Sequence, residues 1–215
     1  LIAVGSTLPS ILPSAISGTL RYRREDLIDW RAVGWTVPAG IVAAVVGALL
    51  SKVVPGEGRL LQLATAGLLG LSAWRMARGG RRTDEEVTAT EATDHRGAFT
   101  AVGSLAGLLS GLLGIGGGVV MVPGFTQLTG MPVKRAIATS LACVGLFSIP
   151  GMITHAFLGN IDWRFALLLA VGVVPGARLG AAATIASDDR RVRLVVAGFL
   201  AVTAVIYAVG ELLAL

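Results

Sequence analysis

The sequence predicts an all-α integral membrane protein, a polytopic bundle of apolar helices. Of its 215 residues 54% are hydrophobic and only 14% are charged, and the mean hydropathy is +0.77. The charges fall in short clusters between long apolar runs, a pattern foreign to soluble domains. Those runs have bilayer length. Hydrocarbon about 30 Å thick takes about 20 apolar residues per helical crossing, and the stretches 35–50, 60–74, 136–158, 165–186 and 194–215 read as spans.

The net charge of +5 does not point to nucleic acid. Its basic residues stand at the ends of apolar runs, where cytoplasmic loops of membrane proteins carry Lys and Arg, so the basicity reads as topology. The single cysteine, Cys143, lies within a span, which excludes a disulfide inside the chain.

A self-match divides the chain. Asp29-Trp30-Arg31 falls on Asp162-Trp163-Arg164 at an offset of 133 residues, Gly18 falls on Gly151, and Ser6-Thr7 falls on Thr139-Ser140. With small gaps, Val37-Pro38 matches Val174-Pro175 and Ala66-Gly67 matches Ala197-Gly198. Fixed-offset similarity marks a duplication. Residues 1–78 form a first repeat, 79–97 a polar linker and 98–215 a second repeat. The second repeat opens with a glycine-rich segment at 98–129 that has no counterpart in the first. The chain also starts on Leu1 within an apolar run, so the repeat predicts a truncated first half, with roughly 40 further residues before Leu1. The linker, with Gly79-Gly80-Arg81-Arg82-Thr83-Asp84-Glu85-Glu86, reads as solvated chain.

In the glycine-rich segment, Gly111, Gly114, Gly116, Gly117 and Gly118 are followed by Pro123. Each glycine costs a helix about 1 kcal/mol and proline about 3, so the helix is expected to break near Gly116. A break inside lipid is tolerated only where protein or a water-filled cavity surrounds it. Broken segments also place half-helix termini at transporter sites, where the amides and dipole of an N-terminus attract anions. The plainer reading is close helix packing through small residues. Because Gly116, Gly117 and Gly118 are consecutive they cannot share one packing face. A dinucleotide or phosphate loop is excluded by the spacing and by the apolar flanks.

Loop charge decides how the segment sits. A single crossing would divide the Lys and Arg almost evenly between the two sides. A re-entrant hairpin gathers nearly all of them on one side and leaves Lys52, Arg59 and Arg164 on the other, which the positive-inside rule favours. Each half then has an odd number of crossings, so the two repeats are expected to be inverted.

Taken together, Gly111-Leu112-Leu113-Gly114-Ile115-Gly116-Gly117-Gly118 with Pro123, Ala138-Thr139-Ser140-Leu141, His155 and Gly159-Asn160-Ile161-Asp162-Trp163-Arg164 resemble the sulfite exporter TauE/SafE family. The resemblance runs over essentially the whole chain. It implies a bacterial inner-membrane, multi-pass permease with duplicated halves, associated with sulfite, sulfonates and related small anions. Departures are the missing first glycine motif and Tyr22 where the second repeat has His155.

The candidate substrate-binding residues are Gly116, Gly117, Gly118 and Pro123 in the broken segment, the hydroxyls of Ser6, Thr7, Thr139 and Ser140, and Arg178. An arginine within a span is costly and should face protein or water, where it could meet an anion. Alternatively it reaches an interface beside the small-residue face Gly172, Gly176 and Gly180. The hydroxyl pairs could contact an oxyanion or simply cap helices. His155 could carry a coupled proton or sit at the interface. Trp30, Trp74 and Trp163 fit an interfacial aromatic belt, and Asp29 and Asp162 fit helix starts.

The expected partners are a small anionic substrate, a coupling ion (proton or sodium), the lipid bilayer and a second copy in a homo-oligomer, with no nucleic acid. No cofactor and no metal are expected. Two histidines, one cysteine and no paired intramembrane carboxylates leave no catalytic constellation, so the reading is not an enzyme. An anion pore and a membrane assembly subunit are the alternatives to a carrier.

Overall fold

The computed structural model describes residues 2–50, 66–67, 70–74, 76, 95–113, 117–157 and 162–213, and for 2–8, 48–49, 111–113, 151, 154–155 and 207–213 it describes the backbone alone. Seven helices fall within these residues: α1 (Ile2–Arg23), α2 (Trp30–Leu50), α3 (Arg96–Leu113), α4 (Gly118–Leu128), α5 (Val133–Phe157), α6 (Trp163–Ala186) and α7 (Asp189–Leu213). Residues 70–74 are also helical. α2, α5 and α6 each contain a window long and apolar enough to cross a bilayer.

The matched Asp-Trp-Arg motifs do the same job twice. Asp29 Oδ1 accepts from the Ala32 amide at 3.0 Å at the start of α2. Asp162 Oδ1 accepts from Arg164 and Phe165 amides at 3.0 and 3.2 Å at the start of α6. Each carboxylate satisfies helix amides that lack an intrahelical partner. α1 stops differently: Asp26 takes a left-handed φ of 53°, and the amides of Asp26 and Leu27 return to the carbonyls of Arg23 and Tyr22, the paired bonds of a helix C-terminus ended by a left-handed residue.

Five of these helices carry an internal proline: Pro9 and Pro13 in α1, Pro38 in α2, Pro123 in α4, Pro150 in α5 and Pro175 in α6. A proline inside a helix removes one amide donor and frees the carbonyl four residues back, which bundled membrane helices tolerate through their neighbours. Pro38 stands eight residues after Trp30 in α2 and Pro175 twelve after Trp163 in α6, so the two prolines differ by about one turn in their distance from the helix start.

α5 is the central helix, with α1, α2, α4 and α7 packed on it. α1 crosses it antiparallel: a Cβ at Gly145 would stand 2.9 Å from the Ala15 methyl, while Gly18 sits on Leu141. α2 runs parallel to α5, from the Asp29–Thr139 contact to Gly40 against the Phe147 ring. α1 runs parallel to α6, from Ser17 against the Val174 carbonyl to Tyr22 beside Thr184.

The closest approach in the bundle joins α2 and α3. A Cβ added at Gly103 would run into the backbone of Thr36 and one at Gly107 into the backbone of Gly40, and the Thr36 hydroxyl donates to the Phe99 carbonyl at 3.2 Å. α4 then runs back along α3. Phe125 meets Phe99 edge to face at 6.1 Å, Gly124 faces Val102, and Gly117 faces Ala106. Phe99, Val102, Ala106, Met121 and Phe125 form the middle of the main core with Ala138, Ala142 and Cys143 of α5. A second cluster joins Ala197, Leu200 and Ala204 of α7 to Ala73 and Met76.

One end of the bundle collects the basic loops. Lys134 at the start of α5 bonds the Ile185 carbonyl and the Asp189 carboxylate, and Arg96 at the start of α3 lies 5.5 Å over the Trp35 ring. Together with the Asp29–Thr139 and Tyr22–Thr184 contacts, these bring the α1–α2 turn, Arg96, Lys134–Arg135 and Arg190–Arg193 to that end. The outer surface is apolar: Leu168 and Val171 of α6 and Val195 of α7 are each at least 71% exposed, as faces turned to lipid are.

Candidate functional site

The start of α4 lies deep in this bundle. α3 ends at Leu113, α4 begins at Gly118, and residues 114–116, Gly116 among them, lie outside the described residues. Gly118 faces Val144, beside Gly145 at the α1–α5 crossing and far from both ends of α5. An α-helix therefore begins at the middle depth of the protein. Gly117 is its N-cap and no side chain caps it. The amides of Val120 and Met121 turn back to the Gly117 carbonyl, while the earlier amides have no partner within the helix.

The surroundings are tight. A Cβ on Gly117 would meet the Met121 methyl at 3.0 Å and Ala106 at 3.3 Å, and one on Gly118 would meet a Val144 methyl at 3.1 Å. Glycine here lets α3 and α5 close in around the first turn of α4. Pro123 is buried one turn further on, and its missing donor frees the Val119 carbonyl. So amides without an intrahelical partner and a carbonyl without its usual helical donor sit in the first turns of α4.

Thr139 and Ser140 do not begin a helix; they lie in the second turn of α5 and point two ways. The buried Thr139 hydroxyl oxygen accepts from the Asp29 amide at 3.1 Å, which ties α5 to the start of α2. Ser140 shares the helix face of Val144, one turn away, and its hydroxyl donates to the Ile137 carbonyl at 2.9 Å. Of the pair, Ser140 is thus on the side of α4. Ser6 and Thr7 lie in the first two turns of α1, and His155 in the last turn of α5; their side chains fall outside the described residues.

Arg178 is set apart from the glycines. It stands on the exposed side of α6, two turns before the helix ends, among Ser17, Leu20, Arg21 and Arg24. Gly172, Gly176 and Gly180 have nothing within 4 Å of where a Cβ would stand. That stripe seats no helix among the described residues.

A family model described as "Sulfite exporter TauE/SafE" matches residues 1–207. The chain belongs to the sulfite exporter TauE/SafE family. Relatives of this TauE/SafE chain include the probable membrane transporter protein YunE of Bacillus subtilis, 29% identical over 84% of this chain and 71% of its own length. A probable membrane transporter protein of Xylella fastidiosa is 27% identical over 97% of the chain and 79% of its own length. The probable membrane transporter protein MJ0441 of Methanocaldococcus jannaschii is 27% identical over 93% and 76%. No solved structure matches. The chain is a membrane transporter by family and by its apolar helices.

Thr36, Gly103 and Gly107 of this TauE/SafE chain, which set the α2–α3 approach, are not among the residues the sequence alone singles out. Their signal was present: Gly103 and Gly107 are four apart and lie on one helix face. The two hydroxyls on α5 are also separable by experiment. Thr139→Val leaves the Asp29 amide without its acceptor and should cost about 1–3 kcal/mol. At about 2–4 °C per kcal/mol for a chain of this size, the melting midpoint in detergent should fall visibly. Ser140→Ala loses only a bond to its own helix, strands no amide donor, and should cost no more than about 1 kcal/mol.

Proposed function

We propose that the chain is a secondary transporter of small anions, sulfite, sulfonates and related sulfur oxyanions, across the bacterial inner membrane. The observation that carries this reading is the uncapped start of α4 at mid-depth. The partial positive charge of a helix N-terminus, whose first amides lack intrahelical partners, suits an anion. Glycine at 117 and 118 puts no side chain of its own over these first amides. Gly116, Gly117 and Gly118 form the contact, Ser140 adjoins it, and Pro123 frees a carbonyl beside it for a coupling ion, proton or sodium.

Alternating access between two inverted halves accounts for the helix directions. The repeat mates α1 and α5 run antiparallel, and α1 lies along α6 as α5 lies along α2. An in-plane two-fold axis relates halves in this way. α3 and α4 then make a re-entrant hairpin entering from the basic, cytoplasmic end. A cysteine placed at Asn160, in a chain with Cys143→Ala, should react with an impermeant reagent from the periplasmic side. Labelling from the cytoplasm alone would rule out inversion.

The substrate is tested by thermal stability in detergent against sulfite, sulfate, thiosulfate, sulfoacetate, taurine and simple carboxylates. A ligand at 100 times its Kd should stabilise by about 2.7 kcal/mol. A selective shift, followed by saturable flux in proteoliposomes, supports a carrier. Flux without saturation would favour a pore, and no shift with any of these anions would overturn the anion reading.

A further inference from the structure

A shallow cavity of about 120 Å³ opens on the outer side of the bundle, between the last turns of α1 and the second half of α6, lined by Ser17, Leu20, Arg21, Arg24 and Arg178. Three guanidinium groups from two helices converge there. Glu25 offsets one of them through a 3.0 Å ion pair with Arg21. Arg24 and Arg178 have no acidic or hydrogen-bonding partner among the described residues, so the cavity keeps two uncompensated positive charges. At roughly 30 Å³ of liquid volume per water molecule, it has room for a tetrahedral oxyanion.

Its position says where the anion comes from. Arg178 is eight residues before the end of α6, so its Cα lies about 12 Å inside that end. An unpaired arginine at such a depth is costly unless it reaches the interface or draws in a counter-charge. The surface around it is apolar and turned outward, with Leu20 of the lining 53% exposed and Leu179, next to Arg178 in α6, 71% exposed, as a lipid-facing surface requires. The cavity adjoins the basic end, and basic pockets between helices at the cytoplasmic side suit acidic headgroups. Guanidinium forks also match the paired oxygens of a phosphate.

We propose that this cavity binds a phosphate oxyanion carried on the headgroup of an acidic phospholipid, whose diester seats against Arg24 and Arg178 while its acyl chains lie along Leu20 and Leu179. The site is separate from the start of α4 and does not depend on the transport reading. It gives Arg178 a counter-charge within the bilayer and joins the end of α1 to α6.

The test uses the full chain purified in detergent, with lipid retention read by native mass spectrometry. Wild type should hold cardiolipin or phosphatidylglycerol at least tenfold over phosphatidylcholine. Arg178→Gln and Arg24→Gln should each reduce that preference at least fivefold. Arg191→Gln, which removes an exposed cation at the same end but outside the cavity, should leave it unchanged. Circular dichroism and gel filtration check folding, and the helix-end variant Arg24→Gln serves if Arg178→Gln does not fold. Equal preference in wild type and both cavity variants would overturn the site. So would a loss just as large in Arg191→Gln, which would mean general attraction to the basic end. Binding of inorganic phosphate that disappears in Arg178→Gln, with no lipid preference, would assign the cavity to a free oxyanion and overturn the lipid source.

Discussion

Gly118→Leu should abolish transport while leaving a folded protein. A Cβ at this position would stand 3.1 Å from a Val144 methyl, and the rest of a leucine would crowd the first turn of α4 and cover its amides. Overpacking of this kind costs about 1–3 kcal/mol, enough to lower the melting midpoint without unfolding the bundle. Adding Val144→Ala removes the clashing methyls and should return much of the lost stability. It should not return flux, because the leucine still covers the amides. Flux is measured in proteoliposomes with whichever anion shifts the melting midpoint. Recovery of both stability and flux in the double variant would sink the assignment of the α4 start as the anion contact. Gly117→Leu is expected to behave alike, although the nearest atom there is the flexible Met121 methyl, 3.0 Å away.

Gly107→Val should have the largest effect on folding. Its Cβ would lie 2.8 Å from both the Cα and the carbonyl carbon of Gly40, and the equivalent at Gly103 would lie 2.9 Å from the Thr36 Cα. These neighbours are backbone, so no rotamer change relieves them. α2 and α3 would have to separate, exposing the Thr36–Phe99 bond and the core around Val102 and Ala106. The cost should reach or exceed the ~1–3 kcal/mol of ordinary overpacking. Gel filtration in mild detergent should show loss of the monodisperse species. Gly176→Ala is the contrast. No described residue lies within 4 Å of where its Cβ would stand, and the gain in helix propensity of up to about 1 kcal/mol should leave the midpoint unchanged or higher. A Gly107→Val protein that melts like wild type would show that α2 and α3 do not meet through these glycines.

The same side-chain chemistry carries different weight at these positions because membrane helices associate mainly through packing and hydrogen bonding, with little hydrophobic drive between them. Glycine at 103 and 107 sets how near two backbones come. At 117 and 118 it sets how near a ligand could come to an amide. At 172, 176 and 180 it faces outward and sets neither.

Much of this was legible in the sequence by itself. Apolar runs of bilayer length determine the helical membrane class, since only hydrogen-bonded helices or closed barrels satisfy the backbone in lipid. The motif from Gly111 to Pro123 pointed to the family, and the paired Asp-Trp-Arg marked two helix starts, because short-range rules of capping and propensity act within a few residues. Only the tertiary structure decided that Thr139 serves the start of α2 while Ser140 turns toward α4, and that Arg178 leaves the glycines for Arg21 and Arg24. It also decided that the close helix approach uses Gly103 and Gly107 and not the stripe on α6. Neighbouring residues on one helix point to different partners, and which partner each meets depends on helices a hundred residues apart in the chain. Spacing along one strand of sequence carries no record of that choice.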